Sequence, residues 1–158
     1  MSLTSIWQTQ AVAPEPIRTL LKQEPYSEED SRRECQFKPR ALVVDDSTDI
    51  ALMLVMILQH ADYEAVMAVS ATQALNLAQR EHFDLIVSDI AMPEMDGYLL
   101  AKAIRSLPDY PTVPMIAVTG FAEYDDRDRA RDAGFNTHVK KPIDPTSFID
   151  TVKSLCSL

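Results

Sequence analysis

Cysteine is nearly absent. Cys35 and Cys156 stand 121 residues apart with no CxxC or Cys/His spacing. That argues against a disulfide framework or a zinc site and fits a reducing, cytoplasmic setting. Long hydrophobic runs are missing as well. The longest, Ile50 to Leu58, is too short to span a bilayer and reads as a buried helix. The amino terminus has no basic segment followed by an apolar core, so no secretory signal is visible. Basic side chains are scarce where the chain is patterned: residues 41–158 hold nine against eighteen acidic, which is the whole formal charge of −9. Such a balance disfavours binding of nucleic acid through its phosphates and suits hard cations instead.

What is present is an ordinary globular composition in 158 residues, enough for one domain with an extension. Residues 1–40 mix Gln, Pro, Glu and Ser with scattered apolars, and their six acidic and six basic side chains cancel. They read as a flexible extension or linker, in which Ile17, Leu20 and Leu21 could share one face of a short helix. From residue 41 the pattern becomes regular. ALVV (41–44), YEAVMA (63–68), DLIVS (84–88), PMIAVT (114–119) and THVKK (137–141) are too short for helices and read as strands. Between and after them lie helical segments. The first is opened by Ser47 as a cap, and the second by Ser70, with Ala71, Ala74, Leu75 and Ala78 on one face. The third is GYLLAKAIRSL and the fourth is a charged stretch ending on Gly134. The last begins with Asp144 and Pro145 and carries Phe148, Ile149, Val152 and Leu155 inward. Five strands alternating with five helices predict a doubly wound α/β fold, a (βα)5 domain with a five-stranded parallel sheet.

In such folds ligands sit beyond the carboxyl ends of the strands, so the residues there are the candidates for chemistry. In order they are Asp45 and Asp46, Asp89, Thr119 with Gly120, and Lys141 with Pro142. Three carboxylates brought together repel one another unless a cation intervenes, and oxygen-only ligands suit Mg²⁺. A carboxylate nucleophile flanked by a divalent metal, a lysine and a hydroxyl is the equipment for phosphoryl transfer to aspartate. Gly120 would leave room for the incoming group.

The stretches VVDD, LIVSDIAMPEMDG, MIAVTG and VKKP, in that order and spacing, closely resemble the receiver domain of two-component response regulators, a CheY-like, flavodoxin-like fold. The resemblance covers about residues 41–157, and 41–158 is taken as the domain. It implies that Asp89 is the phosphoacceptor and that Asp45, Asp46, Asp89 and the backbone carbonyl of Ala91 hold Mg²⁺. It implies that Thr119 contacts the phosphoryl group and moves towards it on activation. Lys141 would pair with Asp89 or its phosphate, across a Lys141–Pro142 bond that is commonly cis in the family. The implied donor is a histidine kinase or phosphotransfer protein, and the output is a change in affinity for a downstream protein partner.

Two positions depart from the commonest family pattern. The switch position, usually Tyr or Phe, is His138, which leaves open a moving imidazole or a static surface side chain. Lys140 precedes Lys141, and the functional role falls to Lys141 because Pro142 follows it. Glu94 and Met95 read as structural parts of the acceptor loop, and Asp96–Gly97 as an ordinary helix-entry turn. A hydrolase working through an aspartyl phosphate would need an acid at position 91, where this chain has Ala91, so a signalling role is expected rather than an enzyme. A non-phosphorylated pseudo-receiver is the alternative, which loss of a pocket residue would favour. The ending FNTHVKKPIDPTSFIDTV is similar to receivers of hybrid sensor kinases, although a stand-alone regulator without an output domain is equally compatible. A homodimer through the charged fourth helix would rest on salt bridges.

Overall fold

The computed structural model describes residues 37–120 and 124–156. Among these, strands and helices alternate strictly. They are β1 (Arg40–Val44), α1 (Thr48–His60), β2 (Glu64–Ala68), α2 (Ala71–Arg80), β3 (Leu85–Asp89), α3 (Gly97–Arg105), β4 (Met115–Thr119), α4 (Tyr124–Ala133), β5 (Thr137–Lys140) and α5 (Pro145–Cys156). The sheet order is β2-β1-β3-β4-β5 with every neighbouring pair parallel, which is the expected doubly wound (βα)5 architecture. The expected extension lies, up to residue 36, outside the described residues.

The strand alternation builds two cores. Leu42, Val44, Ile86, Met115 and Ala117 face one way, onto the small side chains of α2 and onto α3 and α4. Ala41, Val43, Leu85, Val87, Ile116 and Val118 face the other way, onto α1 and α5. Because both faces are covered, the strands read as continuous apolar runs. Each large side chain sealed here, such as Leu58 or Phe148, contributes about 1.5–3 kcal/mol by leaving water.

Helix entry is set by the expected caps in two places. Ser70 Oγ accepts from Gln73 N at 3.1 Å, and Asp144 Oδ2 accepts from Ser147 N at 2.7 Å. Ser47 differs: its hydroxyl caps nothing, and its own N–H donates to Asp45 Oδ1 at 2.9 Å. The carboxylate upstream thus takes over the task of ordering the turn. The segment Ile50–Leu58 also departs from expectation. It is helical, but only Ala51, Leu54, Val55 and Leu58 are buried, while Leu52, Met53 and Met56 face solvent. A helix lying on one face of a sheet can bury only the stripe that touches it. No helix among the described residues is long and apolar enough to cross a membrane.

Candidate functional site

Parallel strands place all their carboxyl ends on one edge of the sheet, and the candidate residues gather there. Asp45 directly follows β1, with its N–H donating to Ala68 O at 3.2 Å, and Asp89 is the last residue of β3. Their side chains are sealed, at 1% and 3% exposure for the whole residues, whereas Asp46 beside them is exposed. One carboxylate oxygen from each of Asp45, Asp46 and Asp89 lies within 4.8 Å of the others. Lys141, one residue beyond β5, sends its ammonium between the two buried acids, 2.9 Å from Asp45 Oδ2 and 3.0 Å from Asp89 Oδ1. The Lys141 N–H donates to Thr119 O at 2.8 Å, which ties the end of β4 to the same place. The Lys141–Pro142 peptide is cis.

The electrostatics follow from burial and charge count. Asp89 is pushed above the ordinary carboxylate range by burial. The Lys141 hydrogen bond and charge pull it back, and Asp45 and Asp46 push it up again. Burial lowers Lys141, but its bonds to Asp45 and Asp89 and their charges outweigh this and raise it. One ammonium therefore neutralises only part of three carboxylates. The donor set is all oxygen, two of its members are buried, and negative charge is left over, which is what a hard divalent cation such as Mg²⁺ requires.

Ala91 lies in the loop after β3, two residues beyond Asp89 and exposed. A Cβ at Gly120 would meet nothing within 4 Å, so the space beside Thr119 is open. His138 pairs in register with Ala117 in the middle of β5, and strand alternation puts it on the same sheet face as Thr119, half-buried. Among the described residues no hydrogen bond or ion pair joins it to Asp45, Asp46 or Asp89.

Two positioning residues were not legible as such. The sequence suggests an ordinary turn glycine at Gly97, yet its backbone is not in the left-handed region. A Cβ there would lie 2.3 Å from Asp89 O and 2.8 Å from Ile90 Cα. The first turn of α3 thus sits directly on the peptide that follows the acceptor. Ser88, buried, donates from Oγ to the same Asp89 carbonyl at 2.9 Å. The only sequence signal for either was the dipeptide Asp96–Gly97, whose Asp96 does cap α3 by accepting from Leu99 N at 2.8 Å. In the same loop Glu94 has φ 65°, a left-handed conformation unusual for a non-glycine residue.

A five-stranded doubly wound domain with a cation-ready acid cluster and a lysine at its carboxyl edge belongs to the flavodoxin-like class. Within that class the response regulator receiver domain model matches residues 41–153, and the chain belongs to that family, which serves two-component signalling. The polar-differentiation response regulator DivK of Brucella ovis is 34% identical over 113 residues, 72% of this chain and 92% of that one. The structure of the Vibrio cholerae chemotaxis protein CheY4 superposes with a TM-score of 0.72 at 32% identity, covering 74% of this chain and 98% of that chain. The receiver domain of the sensor histidine kinase PA1611 from Pseudomonas aeruginosa has a TM-score of 0.70 at 26% identity, covers 76% and 98% of the two chains, and was solved with magnesium coordinated in its active-site cleft.

Proposed function

We propose that this receiver accepts a phosphoryl group on Asp89 from a phosphohistidine of a kinase or phosphotransfer protein and thereby changes its affinity for a protein partner. One observation carries the reading: Lys141 is bonded at once to Asp45 and Asp89, with Asp46 alongside. An Asp89 carboxylate oxygen attacks phosphorus in line. The O–P bond forms as the P–N bond breaks, and its electron pair returns to the departing imidazole. Lys141, already on Asp89, turns to the equatorial oxygens of the transferring group. Asp45, Asp46, Asp89 and the carbonyl of Ala91 would hold Mg²⁺, which when bound supplies further positive charge to those oxygens. Thr119 donates its hydroxyl to the phosphoryl group, and its shift towards Asp89, with His138 on the same sheet face, carries the signal into the neighbouring helix.

The exposed Leu52, Met53 and Met56 of α1, a helix that begins two residues after Asp46, support a docking role for that face. Adaptable methionines on an exposed helix face suit a protein partner. In this reading the role is signalling rather than turnover, the setting is the cytoplasm, and the residues before β1 act as a linker. The test is intact mass after incubation with acetyl phosphate, with and without Mg²⁺. A phosphoryl adduct that needs Mg²⁺ and is absent from Asp89→Asn is expected. No adduct on a folded wild-type chain moves the reading to a pseudo-receiver.

A further inference from the structure

The carboxyl edge of the sheet is acidic beyond the cluster around Asp89. Asp45 and Asp89 are buried there, while Asp46, Asp49, Glu94 and Asp144 are exposed on the loops and first helical turns that leave it. One ammonium, that of Lys141, is fixed inside the pocket by Asp45 and Asp89. Arg129 reaches the same edge, but it is engaged by the Tyr98 ring at 4.3 Å and by Asp96 Oδ2 at 3.8 Å. Among the described residues this leaves one further cation at the edge, Lys140, the last residue of β5. It is exposed, and among the described residues no hydrogen bond or ion pair holds its ammonium. Strand pairing sets where this charge stands. Lys140 is in register with Thr119, and paired residues of neighbouring strands project to the same face of a sheet about 4.8 Å apart. The next residue, Lys141, turns into the pocket, so the two ammonium groups part. Lys140 therefore emerges beside Thr119, at the mouth of the pocket and two strand spacings, about 10 Å, from β3.

The group that must enter this pocket is a phosphoryl group carrying about two negative charges, and the acidic edge repels it. A mobile, unpaired ammonium at the mouth offsets that field without touching any reacting atom. We propose that Lys140 is a steering residue for the phosphodonor. It raises the rate at which an anionic phosphoryl group is captured, and the transfer to Asp89 is left to Lys141. The inference rests on the reading of Asp89 as acceptor. It gives a function to the first lysine of VKKP, which the pocket itself does not use. Its signature follows from sign alone. A charge that draws in an anion opposes a cation, so Lys140 weakens Mg²⁺ binding at Asp45, Asp46 and Asp89 while it favours the donor. Removing it moves the two in opposite directions, whereas damage to the pocket would weaken both. Rim charges act through the association rate and fade with salt.

Intact mass against time on the full chain, with acetyl phosphate well below saturation and Mg²⁺ saturating, gives the second-order rate of adduct formation. At low ionic strength Lys140→Gln reacts about two- to fivefold more slowly than the wild type. The gap closes to less than about 1.5-fold near 1 M salt, where the screening length is about 3 Å. By calorimetry at low ionic strength, the Mg²⁺ dissociation constant of Lys140→Gln falls about two- to fivefold. Lys140→Arg matches the wild type in both measurements, and Lys140→Glu, which reverses the charge, widens both differences. Equal rates for the wild type and Lys140→Gln at low salt overturn the proposal. So does a slower rate that persists at high salt, or one not accompanied by tighter Mg²⁺ binding. Absence of an adduct on the folded wild type is instead the failure of the acceptor reading. The Mg²⁺ measurement then decides alone: tighter, salt-sensitive binding in Lys140→Gln upholds Lys140 as the charge at the mouth, and unchanged binding overturns it.

Discussion

Asp89 is where function and stability pull apart. A carboxylate sealed to 3% exposure and shifted upward by burial is a group that the fold would rather have protonated. For an acid whose folded pKa lies above its ordinary value of 3.8, folding loses stability as pH rises from that value through the raised one, and the loss is complete above it. In EDTA, Asp89→Asn is therefore expected to be more stable than the wild type at pH 7 by about 1 kcal/mol, an advantage that fades below about pH 4. Thermal unfolding of both chains across that range checks it. An advantage that persists unchanged in acid would show that ionisation of Asp89 is not its source. At Gly97 the constraint is steric. Gly97→Ala forces a Cβ against Asp89 O and should destabilise by about 1–3 kcal/mol in urea titration. It should also weaken Mg²⁺-dependent phosphorylation beyond what the lost stability explains, because the displaced peptide belongs to the acceptor.

Elements are joined at the far edge of the sheet by buried polar groups that take no part in phosphoryl transfer. The Tyr110 hydroxyl donates to Glu81 O at 2.6 Å and accepts from Phe83 N at 3.2 Å, so one side chain from the α3–β4 connection satisfies both sides of the α2–β3 turn. Removing it strands a donor and an acceptor with almost no change of shape. Tyr110→Phe is expected to lower stability by about 1–3 kcal/mol, with the phosphoryl adduct on Asp89 unaffected when assayed well below the melting temperature. A loss of adduct on a folded variant would mean that the two edges of the sheet are coupled. The exposed Leu52, Met53 and Met56 show the other side of element-scale logic, since α1 turns only one stripe of its apolar side chains onto the core.

For the whole molecule, three carboxylates meet at the carboxyl edge of the sheet with one ammonium among them, and a cation that binds only the folded chain must stabilise it by mass action. At a Mg²⁺ concentration 100 times its dissociation constant the gain is about 2.7 kcal/mol. Melting temperature should therefore climb with Mg²⁺ and respond much less in Asp89→Asn. Equal response in both chains would place the ion elsewhere. Much of this arrangement was legible in the sequence. Short apolar runs ending on Asp45, Asp89, Thr119 and Lys141 imply parallel strands, and parallel strands bring their ends together whatever lies between them. Every strand boundary moved by a residue at one end, and that of β3 at both, because pairing with neighbours, not composition, decides where a ladder stops. Periodicity determined which strand positions would be buried, since alternation is a local property of the backbone. It could not determine which side of α1 would stay bare, why position 97 must be glycine, or that Arg105 would close on Gly134, Tyr110, Val113 and Asn136. Those depend on which surfaces meet across separations of up to 31 residues, and only packing in three dimensions decides them.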